Sequence, residues 1–172
     1  MPWGGSSTFE GSDIDQIAPY SLWVGHAGDS GDARRLLDLG IEAVVQVAAE
    51  EPSPLLPRGL IYLRFPLVDG SGNLPAHLMM AIGAVEGLIR LRVPTLVCCG
   101  MGLSRSPAVA AVALARVRRE PPDESLRFLA ECHPVDVLPG LWREIRAIRP
   151  LPIGFEPAGP GPRHGPHEAP DR

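Results

Sequence analysis

Residues 97–107 place a thiol, two glycines and an arginine in one short turn of the chain, Val-Cys-Cys-Gly-Met-Gly-Leu-Ser-Arg-Ser-Pro. The apolar, β-branched run 93–98 before the turn predicts a buried strand, and the Ala/Val/Leu-rich run 106–119 after it predicts a buried helix. A strand that turns directly into a helix leaves free backbone N–H groups at the helix start, where they favour an anion. This feature therefore predicts an α/β domain with an anion site between a strand and a helix.

Cys99 is followed by five residues and then by Arg105 and Ser106, a spacing that suits attack on a phosphate held in the turn. Thiols are mostly protonated near neutral pH, but inward amides, a helix N-terminus and a nearby arginine favour the thiolate. The Arg105 guanidinium matches two phosphate oxygens better than a lysine ammonium would. The Ser106 hydroxyl can donate to the Cys99 sulfur and help it leave from a covalent intermediate. We therefore predict a catalytic nucleophile, Cys99, with Arg105 and Ser106 as its partners.

The residues between Cys99 and Ser106 form the predicted phosphate-binding loop. Glycines at positions 100 and 102 permit a positive φ and leave no Cβ to obstruct a ligand. The predicted phosphate-binding residues are Gly100, Met101, Gly102, Leu103, Ser104 and Arg105. Because the loop and the arginine supply electrostatic stabilisation, we expect neither a metal nor a cofactor.

Asp69 is the predicted general acid that protonates the departing oxygen. It follows an apolar run, 60–68, and begins the turn-forming stretch Asp-Gly-Ser-Gly-Asn, 69–73. A loop at the end of a strand is a common position for a catalytic group. The alternative interpretation is a turn-forming Asp in an Asp-Gly pair.

On these residues the chain resembles the dual-specificity branch of the cysteine-based protein tyrosine phosphatases, whose usual motif is His-Cys-x-x-Gly-x-x-Arg-Ser. Cys99, Gly102, Arg105 and Ser106 match that motif, and Asp69 lies 30 residues before Cys99, a spacing similar to the family's. The resemblance implies a phosphoprotein phosphatase that hydrolyses Tyr(P) and/or Ser/Thr(P) through a cysteinyl-phosphate intermediate. Its partner is a phosphorylated protein or another phosphate monoester.

The resemblance extends over roughly residues 14–149, with one departure inside the motif. Cys98 stands where the family usually has a histidine that orders the loop. This departure supports one alternative, a catalytically impaired module that recognises phosphorylated partners. A rhodanese-like or arsenate-reducing thiol enzyme, which also carries a Cys loop before a helix, is the other alternative.

Several neighbouring side chains have structural interpretations. We expect Cys98 to be a small buried strand residue. Glu50 and Glu51 follow a predicted strand and could line the rim of a pocket, but we interpret them as a solvated loop. Asp136 lies near the possible active-site face, but we interpret it as an ordinary loop residue. His133 could be a second acid, but because it precedes a proline we interpret it as the end of a helix.

The net charge of −4 argues against nonspecific nucleic-acid binding. Three cysteines, two of them adjacent, indicate no disulfide framework, and a thiolate nucleophile needs a reducing compartment. The N-terminal sequence lacks the features of a secretory signal, and no apolar stretch reaches the ~18–20 residues of a membrane span. We therefore expect a cytoplasmic protein without a membrane partner, whose oligomeric state the sequence leaves open.

Strands and helices are predicted to alternate along one catalytic domain, 13–150, between a flexible N-terminus, 1–12, and a disordered Pro/Gly-rich tail, 151–172. Continuous apolar strands in such an alternation favour a parallel-rich mixed sheet with helices on both faces. The predicted strands cover 16–18, 22–24, 43–47, 60–67 and 93–98, and the predicted helices cover 30–39, 75–91, 106–119, 123–132 and 139–149.

Overall fold

The computed structural model describes residues 14–150, so the predicted N-terminal segment 1–12 and the predicted tail 151–172 lie outside the described residues. The strands are β1 (Asp15–Gln16), β2 (Leu22–His26), β3 (Ala43–Gln46), β4 (Ile61–Arg64) and β5 (Thr95–Cys99). The helices are α1 (Ala27–Ser30), α2 (Ala33–Asp38), α3 (Pro75–Arg90), α4 (Arg105–Arg118), α5 (Pro122–Cys132) and α6 (Pro139–Ile145). None of these helices has the length and apolar character that crossing a bilayer demands.

The five strands form one sheet in the order β1-β2-β5-β3-β4. The four strands β2, β5, β3 and β4 are parallel, and β1 pairs with β2 in the antiparallel direction. This arrangement confirms the predicted parallel-rich mixed sheet. Because His26 of β2 lies opposite Cys99 and Gln46 of β3 lies opposite Cys98, the carboxyl ends of β2, β3 and β5 meet at one edge. In open α/β sheets this edge is where ligands bind.

The central strand β5 is buried along its whole length because helices cover both faces of the sheet. Val97 and Cys99 face a large cluster that also contains side chains of α3, α4, α5 and α6. Leu96 and Cys98 face a smaller cluster that contains Leu36 of α2. The two adjacent cysteines therefore point to opposite faces, as the period-two geometry of a strand requires.

Several element boundaries differ from the predicted ones. The helix predicted over 30–39 begins only at Ala33, where the Asp32 side chain accepts a hydrogen bond from Arg35 N over 3.0 Å, and the short α1 before it was not predicted. The helix predicted over 123–132 begins one residue earlier, after Pro121 and without a side-chain cap, and Asp123 accepts a hydrogen bond from the indole N–H of Trp142. The last helix ends at Ile145 rather than at residue 149. These differences lie away from the end of β5 and leave the predicted architecture intact.

Candidate active site

A loop formed by residues 100–104, here called the phosphate loop, joins the end of β5 to the start of α4. Cys99 is the last residue of β5 and Arg105 is the first residue of α4, so the loop connects the two predicted catalytic residues directly. Gly102 has a φ of +76°, and a Cβ at this position would lie 2.9 Å from the backbone of Gly25. Only glycine fits there, because a side chain would be strained in φ and would collide with β2.

The structural reason for a glycine at position 100 differs from the predicted one. The positive-φ glycines of the described chain do not include Gly100, so the predicted conformational role is wrong. A Cβ added to Gly100 would lie 3.2 Å from the carboxylate oxygens of Glu50 and Glu51. The small residue therefore leaves room for acidic side chains from the loop after β3.

Cys99 lies at the base of the loop and is only 2% exposed. Its Sγ is 3.2 Å from the hydroxyl oxygen of Ser106, in the first turn of α4. The same hydroxyl lies 3.4 Å from the carbonyl oxygen of Gly25, a second acceptor that it can use. The structure thus brings together the sulfur and the hydroxyl that the sequence assigned to one catalytic step.

Arg105 is buried beside the loop and is held from two directions. Nη1 donates to the carbonyl oxygen of Leu67 over 3.1 Å and to one carboxylate oxygen of Glu50, while Nη2 donates to the other oxygen of Glu50. Its Nε is the one buried side-chain nitrogen or oxygen without a hydrogen-bond partner in the region 14–150. Since an unsatisfied buried donor is costly, the edge that joins Nε and Nη2 fits an anionic oxygen.

Glu50 pairs with the buried Arg105, so its interpretation as part of a solvated loop was wrong. Its side chain is 55% exposed, yet both carboxylate oxygens pair with Arg105. These hydrogen bonds hold the pKa of Glu50 below its ordinary value. The pair occupies the end of the guanidinium and leaves its Nε edge free, so Glu50 orients Arg105 without blocking it.

Asp69 lies in the loop between β4 and α3, at the rim of the phosphate loop. Its Oδ1 accepts a hydrogen bond from the Ser104 hydroxyl over 2.6 Å. Ser104 itself accepts from the backbone N–H of Leu138 over 3.3 Å. The predicted acid therefore lies beside the predicted nucleophile loop, although 30 residues separate Asp69 from Cys99.

The loop that carries Asp69 is tied down by two side chains that the sequence analysis did not single out. The Asn73 amide oxygen accepts from Val68 N over 2.9 Å, and its nitrogen donates to the carbonyls of Val68 and Gly70. Glu144 of α6 accepts from the backbone N–H groups of Gly72 and Asn73 over 2.8 and 3.2 Å. The hydrogen bond from Gly72 is the main reason that the pKa of Glu144 lies below its ordinary value. These contacts give the loop a defined conformation.

A shallow cavity of about 170 Å³ lies above Cys99. It is lined by Asp69, Cys99, Met101, Leu103, Ser104, Arg105, Asp136 and Leu138. Six of these residues were predicted to belong to the site, whereas Asp136 was interpreted as an ordinary loop residue. Ser106 lies behind Cys99 and is fully buried. The cavity therefore presents a thiol, a guanidinium and a carboxyl group to one small ligand.

Cys98 is enclosed on the opposite face of the sheet. It is fully buried with Val44, Leu96 and Leu36, and this burial raises the pKa of its thiol to about 12. The structure agrees with its interpretation as a small buried strand residue. The thiol of Cys98 therefore stays protonated at neutral pH.

We expect the Cys98→His variant to be less stable than the wild type and no faster. An imidazole in this closed cluster overpacks the core, which typically costs about 1–3 kcal/mol. Thermal unfolding monitored by circular dichroism measures the loss of stability, and turnover of p-nitrophenyl phosphate measures the rate. A variant of unchanged melting temperature and higher activity would contradict this expectation and show that Cys98 attenuates the enzyme.

Comparisons with known proteins were made by sequence and by structure. No protein-family model and no curated protein sequence matches the chain. The structure is similar to that of human DUSP28, with 30% identity, a TM-score of 0.69, and coverage of 77% of this chain and 93% of that chain. It is also similar to a mouse structure described as a dual specificity phosphatase complexed with zinc tungstate, with 29% identity, a TM-score of 0.70, and coverage of 84% and 91%.

A third solved structure shows the fold alone. It is the human tyrosine phosphatase-like serine/threonine/tyrosine-interacting protein, with 17% identity, a TM-score of 0.67, and coverage of 77% of this chain and 93% of that chain. The fold and the site define a cysteine-based phosphatase domain. The chain belongs to the dual-specificity phosphatase branch of the protein tyrosine phosphatase superfamily.

Proposed function

We propose that the protein is a phosphatase that hydrolyses phosphate monoesters, Tyr(P) and/or Ser/Thr(P) of phosphoproteins, through a cysteinyl-phosphate intermediate. One observation carries the proposal: the Cys99 thiol and the Asp69 carboxyl group share a cavity with Arg105, whose buried Nε has no partner. The first step needs a nucleophile, a cation that holds the phosphate and an acid for the leaving group. Because Cys99 must stay reduced, we expect the activity in a reducing compartment such as the cytoplasm.

In the first step, the Nε and Nη2 edge of Arg105 and the amides of the phosphate loop hold the three non-bridging oxygens of the phosphate. The thiolate of Cys99 attacks phosphorus in line, a P–S bond forms and the P–O bond to the leaving group breaks. Protonated Asp69 gives its proton to the departing oxygen, so that an alcohol or phenol leaves rather than an anion. The N-terminus of α4 adds a positive field where the negative charge of the phosphoryl group accumulates.

In the second step, water attacks the phosphorus of the cysteinyl-phosphate and the P–S bond breaks. Asp69, now a carboxylate, accepts a proton from the water, and inorganic phosphate is released. The Ser106 hydroxyl, 3.2 Å from Sγ, donates to the sulfur as it becomes a thiolate leaving group. The proton taken from water leaves Asp69 protonated again, so the cycle restores both Cys99 and the acid.

A phosphopeptide panel assayed with the wild-type protein and the Cys99→Ser variant tests the proposal. Release of inorganic phosphate by the wild type alone supports it, and the peptides cleaved define the preference between Tyr(P) and Ser/Thr(P). Binding without turnover by both proteins would favour the second candidate, a phosphate-recognition module. Cys98, which occupies the position of the family's usual histidine, is the observation that favours this candidate.

The Glu50→Gln variant should lose kcat/KM by about tenfold, because the guanidinium of Arg105 loses its bidentate partner and its fixed orientation. Glu51→Gln is the matched control, since it removes the same charge from the adjacent residue of this loop, whose Oε1 also approaches Gly100. Steady-state kinetics on p-nitrophenyl phosphate compares the two variants. Equal effects would show that Glu50 acts only through its charge, and a gain in kcat/KM would show that it obstructs phosphate.

Stability should depend on Glu50 in a defined pH range. Because Arg105 lowers the pKa of Glu50, the ion pair contributes its full stabilisation above the ordinary glutamate pKa of about 4.3. That stabilisation is lost as the pH falls through the lowered pKa of Glu50. The exposure of Glu50 limits the contribution to less than about 1 kcal/mol. The melting-temperature difference between wild type and Glu50→Gln should therefore be constant from neutral pH to about pH 5 and shrink in more acidic buffer.

A further inference from the structure

His133 ends α5 and is completely enclosed, and both of its ring nitrogens are hydrogen-bonded. Nε2 lies 2.7 Å from the carbonyl oxygen of Gly102 in the phosphate loop, and Nδ1 lies 2.7 Å from Oδ2 of Asp15 on β1. As the sequence predicted, His133 is the residue at which the helix stops. It also connects the phosphate loop to the edge strand β1.

The chemistry of the Gly102 carbonyl defines which ring nitrogen donates to the phosphate loop. The carbonyl of Gly102 can only accept, so Nε2 of His133 is the donor in that bond. The carboxylate of Asp15 accepts from Nδ1 when that nitrogen also carries a hydrogen. Asp15 thus supports the ring from the side opposite to the loop, in the way that a carboxylate orients a functional imidazole.

The segment that follows α5 makes three hydrogen bonds with the phosphate loop, and the bond from His133 is the first of them. Asp136 N donates to the carbonyl of Leu103 over 2.7 Å, and Leu138 N donates to the Ser104 hydroxyl over 3.3 Å. Residues 133–138, here called the clamp segment, therefore bond three consecutive residues of the loop. On the other side of the loop, the backbone of Gly25 lies so close to Gly102 that a Cβ would contact it at 2.9 Å.

In a planar trans peptide, the carbonyl of one residue and the N–H group of the next residue point in opposite directions, so fixing one fixes the other. When His133 holds the Gly102 carbonyl, it also directs the N–H of Leu103 to the far side of the loop. The bond from Asp136 does the same for the N–H of Ser104. Leu103 and Ser104 both line the cavity above Cys99.

We propose that His133 is a positioning residue that aims the backbone N–H of Leu103 at the bound phosphate by holding the Gly102 carbonyl. This inference rests on the proposed function, because it concerns the same phosphate site. It assigns the ordering of the loop to an imidazole that lies outside the Cys-x5-Arg motif, 34 residues after Cys99. Loop order then depends on a contact between α5 and the loop.

The experiment compares His133→Gln with His133→Asn. Glutamine places its amide nitrogen near the position of Nε2 and keeps a donor for Gly102, whereas asparagine places its nitrogen near Nδ1 and keeps a donor for Asp15. Tungstate, an inorganic phosphate mimic, is titrated calorimetrically into the wild type and both variants, and melting temperatures are measured in parallel. We expect His133→Gln to keep tungstate affinity within about threefold and His133→Asn to lose it by about tenfold to a hundredfold.

A purely structural role would lower the melting temperatures of both variants without separating their tungstate affinities, and that result would overturn the inference. If the wild type itself fails to bind tungstate, the proposed function is overturned instead. Should the His133 variants not fold, Asp15→Ala provides the test, since the Asp15 side chain is 32% exposed on an edge strand. We expect a loss of tungstate affinity of about threefold to tenfold in Asp15→Ala, and unchanged affinity would also overturn the inference.

Discussion

The Cys99→Ser variant is expected to lose all measurable turnover of p-nitrophenyl phosphate while it still binds tungstate. A serine hydroxyl is a far weaker nucleophile than a thiolate at neutral pH, so no covalent intermediate forms. The oxyanion site survives because Arg105, with its free Nε edge, and the phosphate loop are unchanged by the substitution. Steady-state kinetics and calorimetric titration with tungstate measure the two properties separately.

The adjacent cysteine offers a matched control for this prediction. Cys98 lies next to Cys99 in sequence but faces the opposite side of the sheet. The Cys98→Ser variant should therefore keep its turnover. Substantial activity in Cys99→Ser would remove Cys99 from the role of nucleophile, and loss of activity in Cys98→Ser alone would assign that role to the other thiol.

The second large effect is expected for Asp69→Asn, with a decrease in kcat of about 10²–10⁴ and little change in melting temperature. An asparagine can still accept the hydrogen bond from Ser104, so the loop that carries residue 69 keeps its position. It cannot give a proton to the leaving oxygen. The loss should be large on phosphoserine peptides, whose alkoxide is a poor leaving group, and small on aryl phosphates that leave without a proton.

Asp38→Asn serves as the control, because that side chain is 74% exposed on α2 and lies outside the cavity. It should match the wild type on both substrate types. The dependence of kcat on leaving-group pKa, measured over a series of aryl phosphates, distinguishes an acid from a residue that only shapes the cavity. Equal losses over the whole series would rule out proton donation by Asp69.

The sequence predicted the central strand, the phosphate loop and the following helix well, because their pattern is local. Cys99, Gly102, Arg105 and Ser106 lie within eight consecutive residues, so a strand and a helix joined by a short loop must bring them together. Continuous apolar runs were also enough to predict a parallel-rich sheet buried on both faces. The start of the helix predicted over 30–39 was placed too early because several polar residues before α2 could cap it, and only the structure shows that Asp32 does.

The contacts that support the site could not be predicted from the sequence. Arg105 and Glu50 are 55 residues apart, Glu144 and Gly72 are 72 apart, and His133 and Gly102 are 31 apart. Glutamate in a loop and histidine before a proline have common structural explanations, and nothing in their local pattern indicates a partner. Glu50 was therefore interpreted as solvated, although it pairs with the buried arginine.

The sequence by itself determined which groups meet at the candidate site, a thiol and an arginine on a turn between a buried strand and a buried helix. Only the tertiary structure decided which side chains contact those groups. β3 lies beside β5, with Gln46 opposite Cys98, and this strand order carries Glu50 to Arg105. The packing of α5 against α4, and of α6 against α3 and α4, brings His133 to the phosphate loop and Glu144 to the loop of Asp69. Such contacts follow from strand order and helix packing, which depend on the burial of the whole core rather than on any local run of residues.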